Sequence, residues 1–203
     1  MKFFHSPGSC SDGIAMLLAE VGQPFEVVRV NLARGEQRSA DYLALNPKGK
    51  VPALIRPDGA LQTEFPAIAL WLARSFPQAG LMPEGLEAEV RAIELTDFIV
   101  SSIHMRGFTF ISVPAKFVQD PEAQKALVAH GRAVAEAGLA HLAEVLGDKP
   151  YLLGEFGIAD AAAFYVLTWA RARDVPMAPS LHALLDRLNA RPSAAAVKAM
   201  ASA

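Results

Sequence analysis

The residue best placed to do chemistry in this sequence is Cys10, close to the N-terminus. A short apolar pair, Phe3-Phe4, predicts a strand that stops at Ser6-Pro7-Gly8, and apolar residues then recur at helical spacing up to Gly22. Cys10 therefore falls just ahead of, or within, the first turn of a helix. Unpaired backbone N–H groups and the positive end of the helix dipole there favour a thiolate over a thiol. A lone cysteine is also commonly a small buried hydrophobic residue, and residue type alone leaves both interpretations open.

The neighbours of Cys10 limit the reactions open to it. Ser9 and Ser11 flank it with hydroxyl groups that can donate hydrogen bonds to sulfur. It is the only cysteine of the chain and position 7 is proline, so there is no C-x-x-C pair and no internal resolving thiol. Disulfide chemistry at Cys10 would need a thiol from another molecule. His5 ends the predicted strand, and exposure statistics favour a structural histidine there.

Two further stretches point to the same place. In Asn46–Pro52 a proline enters a predicted strand and removes a hydrogen-bond donor, and a cis Val51–Pro52 bond explains this placement. The stretch Thr63–Ile68 opens a helix whose N-terminus can hold a carboxylate through backbone N–H groups. We expect both stretches to meet the Cys10 loop at one edge of a sheet.

The elements that position these stretches form a β-α-β-α-β-β-α unit. After the first helix, the patterns predict a strand, a short or irregular helix, an antiparallel hairpin with an Asp58-Gly59 turn, and a helix, at residues 25–30, 34–46, 51–62 and 63–76. Strands separated by a helix usually pair in parallel, which places the Cys10 loop at the carboxyl end of the first strand.

Beyond this unit the strand signals end and helical patterns take over. Residues 77–85 lack periodicity and contain proline and glycine, which predicts a linker. We therefore predict an α/β domain over residues 1–77, a linker over 78–85 and an all-helical domain over 86–203. Its predicted helices lie at 86–116, 120–147, 158–173 and 181–191, followed by an alanine-rich tail.

The first of these helices carries the second residue of chemical interest, His104. Three- and four-residue steps predict one face made of Val90, Ile93, Asp97, Val100, His104, Gly107 and Ile111. A histidine on such a face serves in a core or an interface about as often as in catalysis, so the pattern leaves the role of His104 open.

Composition excludes several classes of function. The chain has 203 residues, 52% of them hydrophobic, and 19 Lys+Arg against 21 Asp+Glu give a net charge of -2, which argues against nucleic-acid and membrane-surface partners. One cysteine rules out an internal disulfide framework, and the histidine and acid spacings indicate no metal site. No signal-peptide pattern follows Met1, so we expect a cytoplasmic protein.

Four motifs in this order resemble the cytosolic glutathione transferases, closest to the bacterial beta class. They are Ser6–Cys10, Asn46–Leu54, Thr63-Glu64 and Gly157–Asp160. The resemblance extends over nearly the whole chain. It implies a thioredoxin-like N-terminal domain, an all-helical C-terminal domain that carries the acceptor-substrate pocket, and a homodimer.

The resemblance also implies a set of site residues. Glutathione, as co-substrate, is held by backbone groups of Val51 beside a cis Pro52 and by the Glu64-Phe65 turn. The residue matching Cys10 contacts the glutathione sulfur or forms a mixed disulfide with it, and the residue matching His104 lies in the acceptor pocket. The expected catalytic residues are Cys10 and His104, and the expected glutathione-binding residues are Ser9, Ser11, Lys50, Val51, Pro52, Glu64 and Phe65.

The implied activity is conjugation of glutathione to a hydrophobic electrophile, as in detoxification, and/or reduction of mixed disulfides through Cys10. Phe65 replaces the serine usual in the family, and we expect loss of that hydroxyl to weaken glutathione binding by about 0.5–1.5 kcal/mol. This departure keeps a non-catalytic glutathione-fold binding or scaffold protein as an alternative. A glutathione-dependent peroxidase or isomerase is a further alternative.

Overall fold

The structure of the protein is a computed structural model that describes residues 1–202. The chain forms two compact units. The first contains Met1–Met82 together with the described residues from Asn189 onward, and the second contains Pro83–Leu188.

A four-stranded sheet with the order β2-β1-β3-β4 is the centre of the first unit. Its strands are β1 (Lys2–His5), β2 (Glu26–Arg29), β3 (Ala53–Ile55) and β4 (Leu61–Thr63). β1 pairs with β2 in parallel and with β3 antiparallel, and β3 and β4 form an antiparallel hairpin. The predicted α/β arrangement is confirmed, with strands shorter than the apolar runs.

The helices of this unit are α1 (Ser11–Val21), α2 (Ala40–Leu45) and α3 (Phe65–Ser75), with short 3₁₀ turns at Glu36–Arg38 and Pro77–Ala79. The apolar positions that predicted α1 are its buried ones, with Ile14, Leu17 and Leu18 fully buried. α1 ends at Gly22, whose φ of 69° favours glycine and whose N–H donates to the Leu18 carbonyl.

The named elements of the second unit are all helices. Its elements are α4 (Leu86–Phe98), a π-helix (Ile99–Phe108), α5 (Thr109–Ser112), a 3₁₀ turn (Pro114–Lys116), α6 (Pro121–Leu146), α7 (Ile158–Ala172) and α8 (Pro179–Asn189). α6 begins as predicted, because the Asp120 carboxylate accepts from the Ala123 N–H at 2.8 Å. No helix in the described residues is long and apolar enough to cross a membrane.

The predicted face of the first long helix is wrong. The buried positions are Ala92, Leu95, Thr96, Ile99, Ile103, Gly107 and Phe108, whereas Val90 is 49% exposed and Asp97 is also exposed. Apolar residues occur on two sides of α4, so their spacing does not identify the side that packs on the same chain. In the π-helix, the wider turn also breaks the 3.6-residue period on which the prediction depends.

The end of the chain also departs from the predicted division, which assigned residues 86–203 to one helical domain. The alanine-rich tail forms α9 (Pro192–Ser202), and α9 packs against α1 in the first unit. Arg191 Nε lies 2.8 Å from Glu20 Oε1, and Ser193 Oγ also bonds to that carboxylate. An alanine-rich segment has no periodicity that reveals its packing partner, so the sequence does not show this return.

Candidate active site

Cys10 lies at the position expected from the strand-loop-helix pattern. It directly precedes α1, with φ of -58° and ψ of -18°, and is partly buried. Its thiol donates a hydrogen bond to the Val51 carbonyl over 3.7 Å. The Val51–Pro52 peptide is cis, as the proline placement predicts. The structure therefore brings together the first two of the three stretches singled out in the sequence.

The electrostatics of Cys10 differ from the prediction. Burial raises the pKa of the Cys10 thiol to about 12, and the negative charge of Asp12 raises this pKa further. The charge of Glu64 also raises it, while a backbone hydrogen bond at Cys10 and the charge of Lys50 lower it. The prediction that the start of the helix favours a thiolate is wrong for the free protein, because loss of hydration outweighs the helix terminus.

A buried chain of hydrogen bonds runs behind Cys10. Ser11 Oγ lies 2.7 Å from Ser9 Oγ and 2.7 Å from His5 Nδ1. Ser11 Oγ also lies 3.1 Å from both the N–H and the carbonyl oxygen of Ser6. Because Ser11 and His5 are fully buried and Ser9 is partly exposed, only the Ser9 end of this chain reaches the surface.

Asp12 is a site residue that the sequence reasoning missed. Its carboxylate accepts from the Gly8 N–H at 3.1 and 3.2 Å and lies 3.7 Å from His5 Nε2. Burial raises the pKa of Asp12 to about 7. Burial also lowers the pKa of His5 to about 4, and the charge of Arg29 adds to this. An acid two residues after a cysteine, in the first turn of a helix, was the available signal.

The loop before Pro52 is fixed by residues that the sequence did not identify. Tyr42 Oη and Asn46 Nδ2 donate to the Lys50 carbonyl at 2.7 and 2.9 Å. Asn46 is 1% exposed, and its side-chain oxygen accepts from the Lys48 N–H at 3.2 Å. These bonds fix the Lys50 backbone and leave the Lys50 side chain in solvent.

The third stretch supplies a strained residue and a helix start. Glu64 precedes α3 with φ of 67°, a conformation that a non-glycine residue rarely adopts and that occurs often at functional sites. Its half-exposed carboxylate pairs with Lys48 Nζ at 2.7 Å. Phe65 is only 3% exposed, so its side chain belongs to the core and only its backbone is placed to serve a ligand.

His104 belongs to the second unit, where it forms part of an aromatic cluster. Its Nδ1 lies 3.4 Å from Tyr165 Oη, and its ring meets those of Tyr165 and Trp169 edge to face at 5.5 and 4.9 Å. The ring of Phe108 also packs against Trp169, with centroids 5.7 Å apart. The cluster orients the His104 imidazole in a largely apolar setting. Within the described residues, no group of three or more His, Cys, Asp or Glu side chains is arranged to hold a metal.

Comparison with known proteins agrees with this geometry. Residues 8–75 match the family described as glutathione S-transferase, N-terminal domain, and residues 125–195 match glutathione S-transferase, C-terminal domain. Glutathione S-transferase GstA of Escherichia coli O157:H7 is 38% identical over 197 residues, which cover 95% of this chain and 94% of that protein.

Solved structures extend the similarity to the whole chain. A bacterial beta class glutathione S-transferase from Sphingomonas chungbukensis is 35% identical, with a TM-score of 0.82 over 98% of each chain. A sphingomonad glutathione S-transferase complexed with glutathione is also 35% identical, with a TM-score of 0.86 over 100% of each chain. The resemblance and the fold class stated from the sequence are confirmed, and the chain belongs to the glutathione S-transferase family.

Proposed function

We propose that the protein is a glutathione-dependent transferase in which Cys10 contacts the sulfur of bound glutathione. The observation that carries this proposal is the 3.7 Å contact between Cys10 Sγ and the Val51 carbonyl. It places the thiol beside the cis Val51–Pro52 segment, whose backbone groups we assign to the cysteinyl part of glutathione. Ser9 supplies a partly exposed hydroxyl group next to this position, and the buried Ser11 hydroxyl acts on it through its 2.7 Å contact with Ser9.

The Glu64-Phe65 turn is assigned to the γ-glutamyl end of glutathione. A carboxylate at Glu64 attracts an ammonium group, and backbone N–H groups at the start of α3 attract a carboxylate. Lys48 already pairs with Glu64 at 2.7 Å, so an arriving ammonium group competes with Lys48 for this carboxylate. Since both side chains of the pair are about half exposed, this exchange costs little.

The raised pKa of Cys10 favours conjugation over disulfide exchange through Cys10. In exchange, the Cys10 thiolate attacks the glutathione sulfur of a mixed disulfide, forms a Cys10–glutathione disulfide and releases the other thiol as a thiolate. A glutathione thiolate then attacks this disulfide, which restores the Cys10 thiolate and releases glutathione disulfide. This route needs a Cys10 thiolate, which burial suppresses. A protonated Cys10 instead donates a hydrogen bond to the glutathione thiolate, which then attacks an electrophile.

A comparison of Cys10→Ser with Cys10→Ala tests this proposal. Steady-state conjugation of glutathione to 1-chloro-2,4-dinitrobenzene is measured for the wild type and both variants, with glutathione affinity from calorimetric titration. Donation predicts that the serine variant retains most of kcat/KM while the alanine variant loses it, since only serine keeps a donor. Equal loss in both variants supports a nucleophilic Cys10. Absence of both glutathione binding and turnover in the wild type contradicts the proposal and supports the binding or scaffold alternative.

The second substrate is proposed to be a small hydrophobic electrophile that binds near His104. The aromatic rings of Phe108, Tyr165 and Trp169 around this residue favour an apolar acceptor. We also place the enzyme in the cytoplasm, where glutathione is largely reduced and a single unpaired cysteine persists as a thiol.

The protein is further proposed to act as a homodimer. Leu86 and Val90, one turn apart on α4, are 74% and 49% exposed. Large apolar side chains grouped on one exposed helix face favour contact with a protein partner. A second copy of the chain carries the same face, so the two faces can bury each other in a two-fold dimer.

A further inference from the structure

His5 is a fully buried histidine whose two ring nitrogens have different surroundings. Nδ1 lies 2.7 Å from Ser11 Oγ, whereas Nε2 has no hydrogen-bond partner and faces the Asp12 carboxylate at 3.7 Å. The ring itself is fixed by stacking on Phe3, with centroids 5.4 Å apart. A buried nitrogen without a hydrogen bond lowers the stability of the folded protein. The position of Nε2 next to a titratable carboxyl group therefore requires an explanation.

Because the Ser11 hydroxyl has a single proton and contacts both His5 Nδ1 and Ser9 Oγ, the tautomer of His5 determines the direction of the hydrogen bond between Ser11 and Ser9. Ser11 Oγ has one proton and two lone pairs, and one lone pair accepts from the Ser6 N–H at 3.1 Å. If His5 Nδ1 is unprotonated, it accepts the Ser11 proton, and the remaining lone pair of Ser11 accepts from the Ser9 hydroxyl. If Nδ1 carries a proton, it donates to Ser11, whose own proton then turns to Ser9 Oγ at 2.7 Å or to the Ser6 carbonyl at 3.1 Å. Both lone pairs of Ser11 are then occupied, so the Ser9 proton is free to point away from the network.

Asp12 determines which of these two arrangements is stable. An ionised carboxylate 3.7 Å from Nε2 favours a proton on Nε2, and therefore an unprotonated Nδ1. A protonated Asp12 favours an unprotonated Nε2 as its acceptor, and therefore a proton on Nδ1. Burial keeps His5 neutral in both arrangements, and the positive charge of Arg29, the other charged group acting on the imidazole, adds to this.

We propose that Asp12, His5, Ser11 and Ser9 form a proton relay whose outer end lies beside Cys10. When Asp12 ionises, its proton passes to Nε2, the Nδ1 proton passes to Ser11, the Ser11 proton passes to Ser9, and one proton leaves from Ser9. The reverse sequence returns one proton to Asp12. The significance of the relay rests on the proposed role of Cys10 as the thiol of the glutathione site.

The relay has one long step, and both of its ends reach solvent, since Ser9 is partly exposed and the Asp12 side chain is 16% exposed. The 3.7 Å between Asp12 and Nε2 exceeds a hydrogen bond, so transfer there requires an approach of about 1 Å. Ser9 is partly exposed and directly precedes Cys10, so a proton released there is available to a thiolate at the site. His5 touches neither thiol and is a positioning residue in this scheme.

Nitrogen NMR of the wild-type protein tests the tautomer exchange directly. Histidine labelled with ¹⁵N is followed from pH 5 to pH 9, and His5 is assigned through its bonds to the backbone. We expect His5 to stay neutral and to change from a proton on Nδ1 to a proton on Nε2 near pH 7, where Asp12 titrates. A single tautomer over the whole range overturns the proposal. This measurement uses no variant and is independent of whether any variant folds.

The rate at which iodoacetamide alkylates Cys10 tests the consequence, because Cys10 is the only cysteine in the chain. The rate follows the thiolate fraction, and we expect Asp12→Asn to raise it about tenfold at pH 8 through two contributions. One is direct, the loss of a nearby negative charge. The other acts through the relay, because without the carboxylate His5 keeps its proton on Nδ1 and the Ser9 hydroxyl is free to donate to the thiolate. With His5→Phe already present, the same change should raise the rate by about threefold or less, because the contribution through the relay is gone. Equal factors in the two backgrounds overturn the proposal in favour of a direct charge effect.

Two controls accompany the alkylation experiment. Asp58→Asn removes an exposed carboxylate on the hairpin turn and should leave the alkylation rate unchanged. Thermal unfolding of each variant confirms that the compared proteins are folded at the assay temperature. Neither the NMR nor the alkylation experiment contains glutathione, so failure of the relay is distinguishable from failure of the proposed transferase activity.

Discussion

At the scale of single residues, burial favours the neutral forms of His5, Asp12 and Cys10. Burial is the largest influence on each of three neighbours, lowering the pKa of His5 to about 4 and raising those of Asp12 and Cys10 to about 7 and 12. In every case the charged form loses hydration that the protein does not replace. A ligand that brings its own charges therefore changes the electrostatics of this site strongly.

The effect of Asp12 on stability gives a pH-dependent prediction. Its folded pKa of about 7 lies above the usual 3.8, so the unfolded chain releases this proton first and stability falls as the pH rises between these values. We expect Asp12→Asn to raise the melting temperature at pH 8 and to leave it nearly unchanged at pH 4. For a chain of this size, each kcal/mol corresponds to about 2–4 °C.

Calorimetric unfolding of both proteins from pH 4 to pH 8 provides the measurement. Asp58 provides a control of opposite sign, because the Ala60 N–H and Arg56 hold its pKa below the usual value. Asp58→Asn should therefore lower the melting temperature at neutral pH or leave it unchanged. A gain from Asp12→Asn that is equal at pH 4 and pH 8 would contradict the ionisation argument.

The sequence predicted where Cys10 lies but not its chemistry. Its position follows from local patterns, a strand that stops and a helix that starts, which need no knowledge of the rest of the chain. Its pKa depends on how deeply tertiary packing buries it and on the side chain of Asp12. Tyr42 and Asn46 were missed for a related reason, since their bonds to the Lys50 carbonyl are made only when α2 and the following loop pack together.

At the scale of elements, the π-helix and α6 approach each other through glycines. A Cβ added at Gly131 would lie 2.8 Å from the Gly107 carbonyl oxygen, and one added at Gly138 would lie 2.5 Å from Ile103 Cγ1. Both distances are too short for a carbon contact. The two glycines therefore serve close packing in the middle of α6, although glycine disfavours a helix.

The two glycines should respond differently to a second substitution. We expect Gly131→Ala and Gly138→Ala each to lower the free energy of unfolding by about 1–3 kcal/mol, despite the better helix propensity of alanine. Ile103→Ala removes the atoms with which a Cβ at position 138 would clash. It should therefore lower the free energy of unfolding less in the Gly138→Ala background than in the wild type. It should not relieve Gly131→Ala, because a backbone oxygen opposes that position.

Urea unfolding of the single and double variants checks this prediction through a double-mutant cycle. The expected interaction energy is stabilising for positions 103 and 138 and near zero for positions 103 and 131. An interaction energy near zero for both pairs would show that Gly138 does not contribute through close contact with Ile103.

The start of α7 depends on a buried carboxylate. Asp160 is 1% exposed and accepts from the Gly157 N–H at 3.0 Å and from the Leu152 N–H at 2.9 Å. Asp160→Ala leaves both buried donors without this acceptor, and we expect the free energy of unfolding to fall by about 2–5 kcal/mol. Asp160→Asn keeps one acceptor oxygen and should lose less. Equal losses in urea unfolding would contradict this account.

The existence of most helices was readable from the sequence, whereas their packing partners were not. α6 and α7 have caps and apolar positions that indicate their limits. For α4, the periodicity pointed to Val90 and Asp97, which are exposed. Apolar spacing reports that a face is buried somewhere, and it does not distinguish burial within the chain from burial against a partner.

At the scale of the whole molecule, the chain returns to the unit in which it began. The Arg191 and Ser193 side chains hold the Glu20 carboxylate, and these hydrogen bonds keep the pKa of Glu20 below its usual value in spite of partial burial. The contact ties the start of α9 to α1. The first unit thus combines residues from both ends of the sequence, which patterns read along the chain do not reveal.

The exposed face of α4 gives the prediction for the assembly. In a two-fold dimer this face is buried on both protomers, so a charge introduced on it loses hydration twice. We expect light scattering to show a dimer for the wild type and a shift toward monomer for Leu86→Glu. An acid in the first turn of a helix favours that helix, so α4 itself should remain intact. Leu153→Glu, at another exposed leucine, is the matched control and should stay dimeric. A wild-type monomer, or equal dissociation in both variants, would show that α4 is not the interface.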